Sequence, residues 1–304
     1  MTLCFRGGTT LIRSVRKSAA RLERELGFTW GRAWHLRARF LPVELCAEAH
    51  RFLTEHQNKL FFVMGSGRSG TQLITSLLDS SGATAAYHEP NFKEDVGTMD
   101  ILRRDTALAD RYWRDFRSVE VYRRWQRQAP GISYGEVNGT IRYQTPSIIK
   151  LYPEAGMLLM ARDGRGVVRS VMGWPQFYGP DAHGAYALEP LPGDPFCEEW
   201  PRMTRFERVC WSWRDTNEFL MNCIPVNRRL QFERITSNYE YFAERFLGSI
   251  GLELSRDSWS RIVGQPSKNA TANHGFPHWC HWGDAEQKAF WRICGDTMAR
   301  LGYV

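Results

Sequence analysis

Two spacings of apolar residues alternate along the chain. Leu60–Met64 is an unbroken apolar run, as in a strand covered on both faces. Beyond it Leu73, Ile74, Leu77 and Leu78 recur with the period of one helix face. Residues 83–87 read as a second strand, closed by His88-Glu89-Pro90, where the proline ends any ladder. Residues 135–139 begin another strand or strand end, which places Glu136 and Asn138 on one side. Residues 157–161 repeat the buried-strand pattern, and Val167, Val168 and Val171 give the next helix its apolar face. Between them, residues 95–128 mix Arg, Asp, Trp and Tyr and read as surface helices, including one over 119–128. Phe290, Ile293, Cys294, Met298 and Leu301 mark a final amphipathic helix over 284–301. At the front, residues 11–26 fit a basic amphipathic helix and residues 43–56 a second one.

The 304 residues suffice for one large domain or two small ones. The net charge of +7 is uneven: residues 1–60 carry +6 of it, so the remainder is nearly neutral. The basic front segment suits contact with an anionic membrane surface or an acidic partner, the plainer alternative being a solvated helix face. Residues 95–128 mix both signs of charge, which argues against a nucleic-acid surface. Seven scattered cysteines, with no CxxC pair, point to free thiols in a reducing compartment rather than to disulfides or zinc. No stretch of about 18 apolar residues suggests a membrane span. Residues 1–20 have no apolar core of the kind a secretory signal needs. A cytoplasmic protein is therefore expected, with peripheral membrane contact of the front segment as the alternative to a solvated face.

The chemistry is carried by Gly65-Ser66-Gly67-Arg68-Ser69-Gly70-Thr71-Gln72, placed between a strand and a helix. Glycines let backbone N–H groups close on an anion, and the helix start adds its positive dipole end. Gly65 and Gly70 are spaced as in the nucleoside-triphosphate loop, but Thr71 stands where that loop has its lysine, and Arg68 is the only cation of the turn. The alternative is an ordinary βα turn whose glycines serve only backbone geometry. His88 and Glu89 follow a strand end, where either suits a general base. Arg162 closes the strand at 157–161, Asp163 can cap the next helix, and Ser170 lies eight residues on from Arg162. A guanidinium fork and a hydroxyl converging on one spot suit a phosphate.

Together these stretches resemble the sulfotransferases that use 3′-phosphoadenosine 5′-phosphosulfate (PAPS). The GSGRSGT turn resembles their 5′-phosphosulfate loop. Arg162-Asp163-Gly164-Arg165 through Arg169-Ser170 resembles their 3′-phosphate motif. His88-Glu89-Pro90 stands where members acting on carbohydrate or tyrosyl protein carry a catalytic Glu; in the cytosolic branch a His does this work. Leu230-Gln231-Phe232-Glu233 with residues 239–254 is similar to the family's later strand, helix and "LG" ending. Residues 267–282 lie where the family has a nucleotide-covering loop, so Lys268, Asn269 or His274 would reach PAPS, and Trp279 or Trp282 would stack on adenine or a sugar. The resemblance implies a three-layer α/β/α fold with a central, mainly parallel sheet and a P-loop-like turn over residues 60–304, after a basic helical extension over residues 1–59. It implies PAPS as co-substrate, no metal requirement and a hydroxyl acceptor, whether carbohydrate, glycolipid or another small molecule. Arg68, Ser69, Gly70 and Thr71 would hold the transferring group and Glu89, or failing it His88, would take the acceptor proton, with Glu136 next in line. The proline-rich segment 178–200 is a candidate acceptor lid. A nucleotide kinase and a non-catalytic nucleotide-binding module are the competing classes.

Overall fold

The computed structural model describes residues 34–180, 182, 186–265 and 275–303. Its centre is a parallel sheet in the order β2-β3-β1-β4-β5, formed by β1 Leu60–Met64, β2 Thr84–His88, β3 Ser133–Val137, β4 Gly156–Ala161 and β5 Arg229–Gln231. The helices that matter here are α1 Val43–Glu55, α2 Thr71–Asp79, α3 Phe92–Arg104, α4 Ser118–Trp125, α5 Gly164–Met172, α6 Arg205–Cys223 and α7 Asp284–Arg300.

β1 is apolar throughout because it pairs with β3 on one side and β4 on the other, and helices cover both of its faces. The pleat divides its residues. Leu60, Phe62 and Met64 join a core with Trp113, Trp211 and Trp213, whereas Phe61 and Val63 join one with Leu77, Leu158 and Phe242. The result is the three-layer α/β/α arrangement expected from the sequence. From β1 the chain builds β2 and β3 to one side and β4 and β5 to the other. The carboxyl ends of β1 and β4 therefore flank a crevice, the place where open α/β sheets bind ligands.

Residues 95–128 correct the expectation of surface helices. Asp95 and Arg117 are fully buried, together with Trp113 and Val121. The charges there face one another inside the protein instead of water. The front segment also enters the core: Trp34 packs edge-on against Tyr112 at 5.1 Å, and Ala49 and Leu53 of α1 are buried. The helix expected over residues 11–26 lies outside the described residues. Among the described residues no helix is long and apolar enough to cross a membrane, and the six described cysteines are free thiols.

Candidate active site

The turn after β1 is shaped by its close neighbours. A Cβ on Gly65 would lie 2.7 Å from the Met160 carbonyl oxygen of β4. Gly70 has φ +93°, and a Cβ there would stand 2.1 Å from the Phe232 ring. Inside the turn, both the Ser69 N–H and its hydroxyl donate back to the Ser66 carbonyl, at 3.3 and 2.6 Å. The Ser69 N–H, expected to face an anion, is thus used to close the turn. Ser66 Oγ is buried and has no hydrogen-bond partner among the described residues. An orphaned hydroxyl beside a helix N-terminus fits a turn that holds an anion.

Arg68 is the hub. It has φ +71°, outside the regions a side chain prefers. Its carbonyl accepts a hydrogen bond from Arg162 Nη1 at 2.8 Å, and its Nε donates to Ser170 Oγ at 2.9 Å. Arg162 and Ser170 therefore meet, but through Arg68 rather than directly. The glycine turn and the β4–α5 motif form one continuous donor surface. Arg68 Cζ lies 4.8 Å from the Trp174 ring centroid and Arg162 Cζ 5.1 Å from that of Phe232. Burial, and then repulsion from Arg162, work against the charge of Arg68, a strain that a bound anion would relieve. Asp163 caps α5 as expected, accepting from the Arg165 N–H at 2.8 Å. Gln72 is exposed on the first turn of α2, and Gly67 leaves open space where a Cβ would stand.

On the other side of the crevice, His88 Nε2 lies 2.8 Å from Thr71 Oγ1, which ties the end of β2 to the start of α2. Burial pulls the imidazole below its ordinary range, which favours its neutral form. Glu89 has φ +44°. Burial pushes its carboxyl up to about 7; Arg142 and a hydrogen bond from the Gly139 N–H oppose the rise, and Asp95 adds to it. Gly139 is required here, since a Cβ on it would stand 2.9 Å from the Gly65 carbonyl oxygen and 3.7 Å from Glu89 Oε1. The turns after β1, β2 and β3 thus press together at one point.

Glu136, expected as a fallback base, is fully buried at 0% exposure and accepts from Arg117 Nη2 at 2.6 Å, Tyr134 OH at 2.9 Å and Asn138 Nδ2 at 3.1 Å. It cannot reach an acceptor. Asn138 carries the turn instead: its Oδ1 accepts from the Thr140 N–H and hydroxyl at 3.0 and 2.6 Å. Trp282 packs in the core against Phe206 and Phe290, whereas Trp279 is 39% exposed and lies 4.5 Å from Arg165 Cζ. Lys268, Asn269 and His274 lie outside the described residues.

Sequence reading missed Arg142, Trp174 and Phe232. Arg142 follows a strand end at the same level as Glu89, a placement that could have marked it. Nothing in the spacing of Trp174 or Phe232 distinguishes them from core aromatics.

No protein-family model matches the chain, and no curated protein does. Among solved structures, the chain is similar to a sulfotransferase domain from the curacin biosynthetic pathway, with 11% identity over 81% of this chain and 98% of that one and a TM-score of 0.47. It is similar to the sulfotransferase STF9 from Mycobacterium avium at 14% identity, covering 83% and 81% with a TM-score of 0.46. It is also similar to the mouse sulfotransferase SULT7A1, solved in complex with PAP, at 8% identity, covering 83% and 89% with a TM-score of 0.40.

Proposed function

We propose that the protein moves a sulfuryl group from PAPS to the hydroxyl of a small-molecule or glycan acceptor. The observation that carries this reading is the Arg68–Ser170 hydrogen bond with the Arg162–Arg68 bond beside it. It joins two phosphate-binding patterns, distant in sequence, into one surface.

In this reading Arg68, Ser66 Oγ and the N–H groups at the start of α2 hold the 5′-phosphosulfate end, and Arg162 and Ser170 hold the 3′-phosphate. Fixed donors there stabilise charge as it grows on the leaving phosphate, and positioning supplies most of the remaining rate. The acceptor oxygen forms a bond to sulfur while the bond from sulfur to the bridging phosphate oxygen breaks. 3′-Phosphoadenosine 5′-phosphate (PAP) leaves with that bond's electron pair. The hydroxyl proton passes to the Glu89 carboxylate, whose proton affinity is matched to neutral pH. His88, held against Thr71, positions the start of α2 and does not compete for that proton.

The test is a screen of hydroxyl acceptors with ³⁵S-labelled PAPS beside γ-labelled ATP. Label is expected to pass from PAPS and not from ATP. Transfer from ATP alone would replace this reading with a kinase, and PAP binding without transfer to any acceptor would replace it with a binding module.

A further inference from the structure

Two arginines, one of them beside Glu89, are more deeply buried than the donor arginines and have donors left over. Arg142 stands in the short helical turn after β3, and Arg103 in the last turn of α3. They are only 8% and 9% exposed. Both flank the Tyr143 ring, with Cζ atoms 4.8 and 5.1 Å from its centroid. Arg142 Nη1 donates to the Gly139 carbonyl at 2.7 Å, and Arg103 Nη2 to the Glu189 carbonyl at 2.6 Å. Arg142 Nε and both Nε and Nη1 of Arg103 have no hydrogen-bond partner among the described residues. Asp215 forms an ion pair with Arg103 Nη1 at 3.9 Å, too long for a hydrogen bond, and accepts the Tyr143 hydroxyl proton.

Buried guanidinium donors without acceptors are costly, and a guanidinium fork matches carboxylate, phosphate or sulfate oxygens. The place of Arg142 relative to the chemistry is fixed by one residue. Gly139 gives its N–H to Glu89 and its carbonyl to Arg142. Arg142 therefore lies one residue away from the carboxylate that would activate the acceptor, and Arg103 reaches the same place across the Tyr143 ring. Glu189, beyond α5, meets the same group through its carbonyl.

We propose that the acceptor carries an anionic group, a carboxylate, phosphate or sulfate, close to the hydroxyl that is modified, and that Arg103 and Arg142 hold it. This rests on the sulfotransferase reading and names its substrate class.

The experiment is calorimetric titration of the full chain, saturated with PAP, with hydroxylated sugars and phenols bearing a carboxylate, phosphate or sulfate and with their neutral parents. The comparison among the three anions identifies which one the site takes. At least one acidic member is expected to bind more tightly than its parent by tenfold or more. Arg142→Gln and Arg103→Gln are each expected to weaken that member about tenfold to a hundredfold, as for a lost charged hydrogen bond, with PAP affinity unchanged. Asp215→Asn removes a competing negative charge, so it is expected to tighten the same ligand, a gain that misfolding cannot produce. Equal or weaker binding of every acidic member, or a preference that survives both arginine variants, overturns the inference while leaving the transferase reading intact. If neither arginine variant folds, an Asp215→Asn protein that gains no affinity overturns it. Failure of the wild type to bind PAP strikes the transferase reading itself, and this inference falls with it.

Discussion

Arg68 and Arg117 are the same residue type in one domain, and their surroundings give them opposite uses. Arg117 is fully buried between two carboxylates. Its Nε and Nη2 reach Asp95 at 3.2 and 3.3 Å, and Nη2 reaches Glu136 at 2.6 Å. Burial works against its charge, but Asp95 and Glu136 outweigh that effect and hold it charged. Arg68 instead links two turns: its Nε donates to Ser170 Oγ, its carbonyl accepts from Arg162 Nη1, and the Arg68 and Arg162 guanidiniums lie against the Trp174 and Phe232 rings. A guanidinium surrounded by carboxylates serves the fold. Under the proposed reading, one that joins two turns at the carboxyl ends of strands serves an anion.

The contrast breaks most visibly at Arg117. Removing one partner from a buried ion network leaves uncompensated charge, so Arg117→Ala is expected to lose about 3–5 kcal/mol of stability, a large part of what a domain has. Denaturant unfolding measures it. A loss under about 1 kcal/mol would mean the network is no more than a surface-type pair.

Glu89 comes next. Glu89→Gln keeps the shape and removes the basicity, so turnover is expected to fall by about 10²–10⁴ with near-normal PAP binding. In the wild type, kcat/KM is expected to rise with pH through about 7, because the base must be deprotonated and burial holds its carboxyl that high. The Gln variant should lose that limb. The same group sets a stability trend. A carboxyl raised in the folded state from 4.5 to about 7 makes the wild type less stable as pH rises across that window. Glu89→Gln is therefore expected to be the more stable protein above about pH 8, by at most on the order of 3 kcal/mol, and to lose the advantage below about pH 4. A variant that stays active, or a pH profile that is flat through 7, removes Glu89 as the base.

Arg68→Ala is expected to weaken PAP binding and slow transfer by about tenfold to a hundredfold, with little loss of stability. Unchanged affinity and rate would remove Arg68 from the site. The smallest effect falls on Ser170, a single hydroxyl: Ser170→Ala should reduce the preference for 3′-phosphorylated nucleotide by less than Arg162→Ala does. A preference that survives both changes puts the 3′-phosphate elsewhere.

Much of this site was legible in the sequence because local pattern dictates it. The strand–glycine turn–helix at Leu60–Asp79 is a contiguous stretch whose backbone geometry follows from Gly65 and Gly70. Asp163 caps α5 from an adjacent position. What stayed hidden depends on partners far along the chain. No spacing announces that Arg68 would reach Ser170, or that Glu136 would be neutralised by Arg117 and lost as a base. Charge density made residues 95–128 read as surface, when in fact Asp95 and Arg117 cancel one another inside the core. The left-handed backbone at Arg68, Glu89 and Tyr178, the three non-glycine positions of this kind among the described residues, has no sequence signature. Such strain persists where the surroundings over-determine it, and Arg68 and Glu89 both stand in turns at the carboxyl ends of strands.

The measurement that bears most directly on the central claim is calorimetric titration of the wild-type chain with PAP and with adenosine 5′-monophosphate, which lacks the 3′-phosphate. Two anion sites joined through Arg68 predict that PAP binds one per chain, at least tenfold more tightly than the monophosphate, and that Arg162→Ala removes most of the difference. Equal affinity for the two nucleotides, or no binding of PAP, would contradict it.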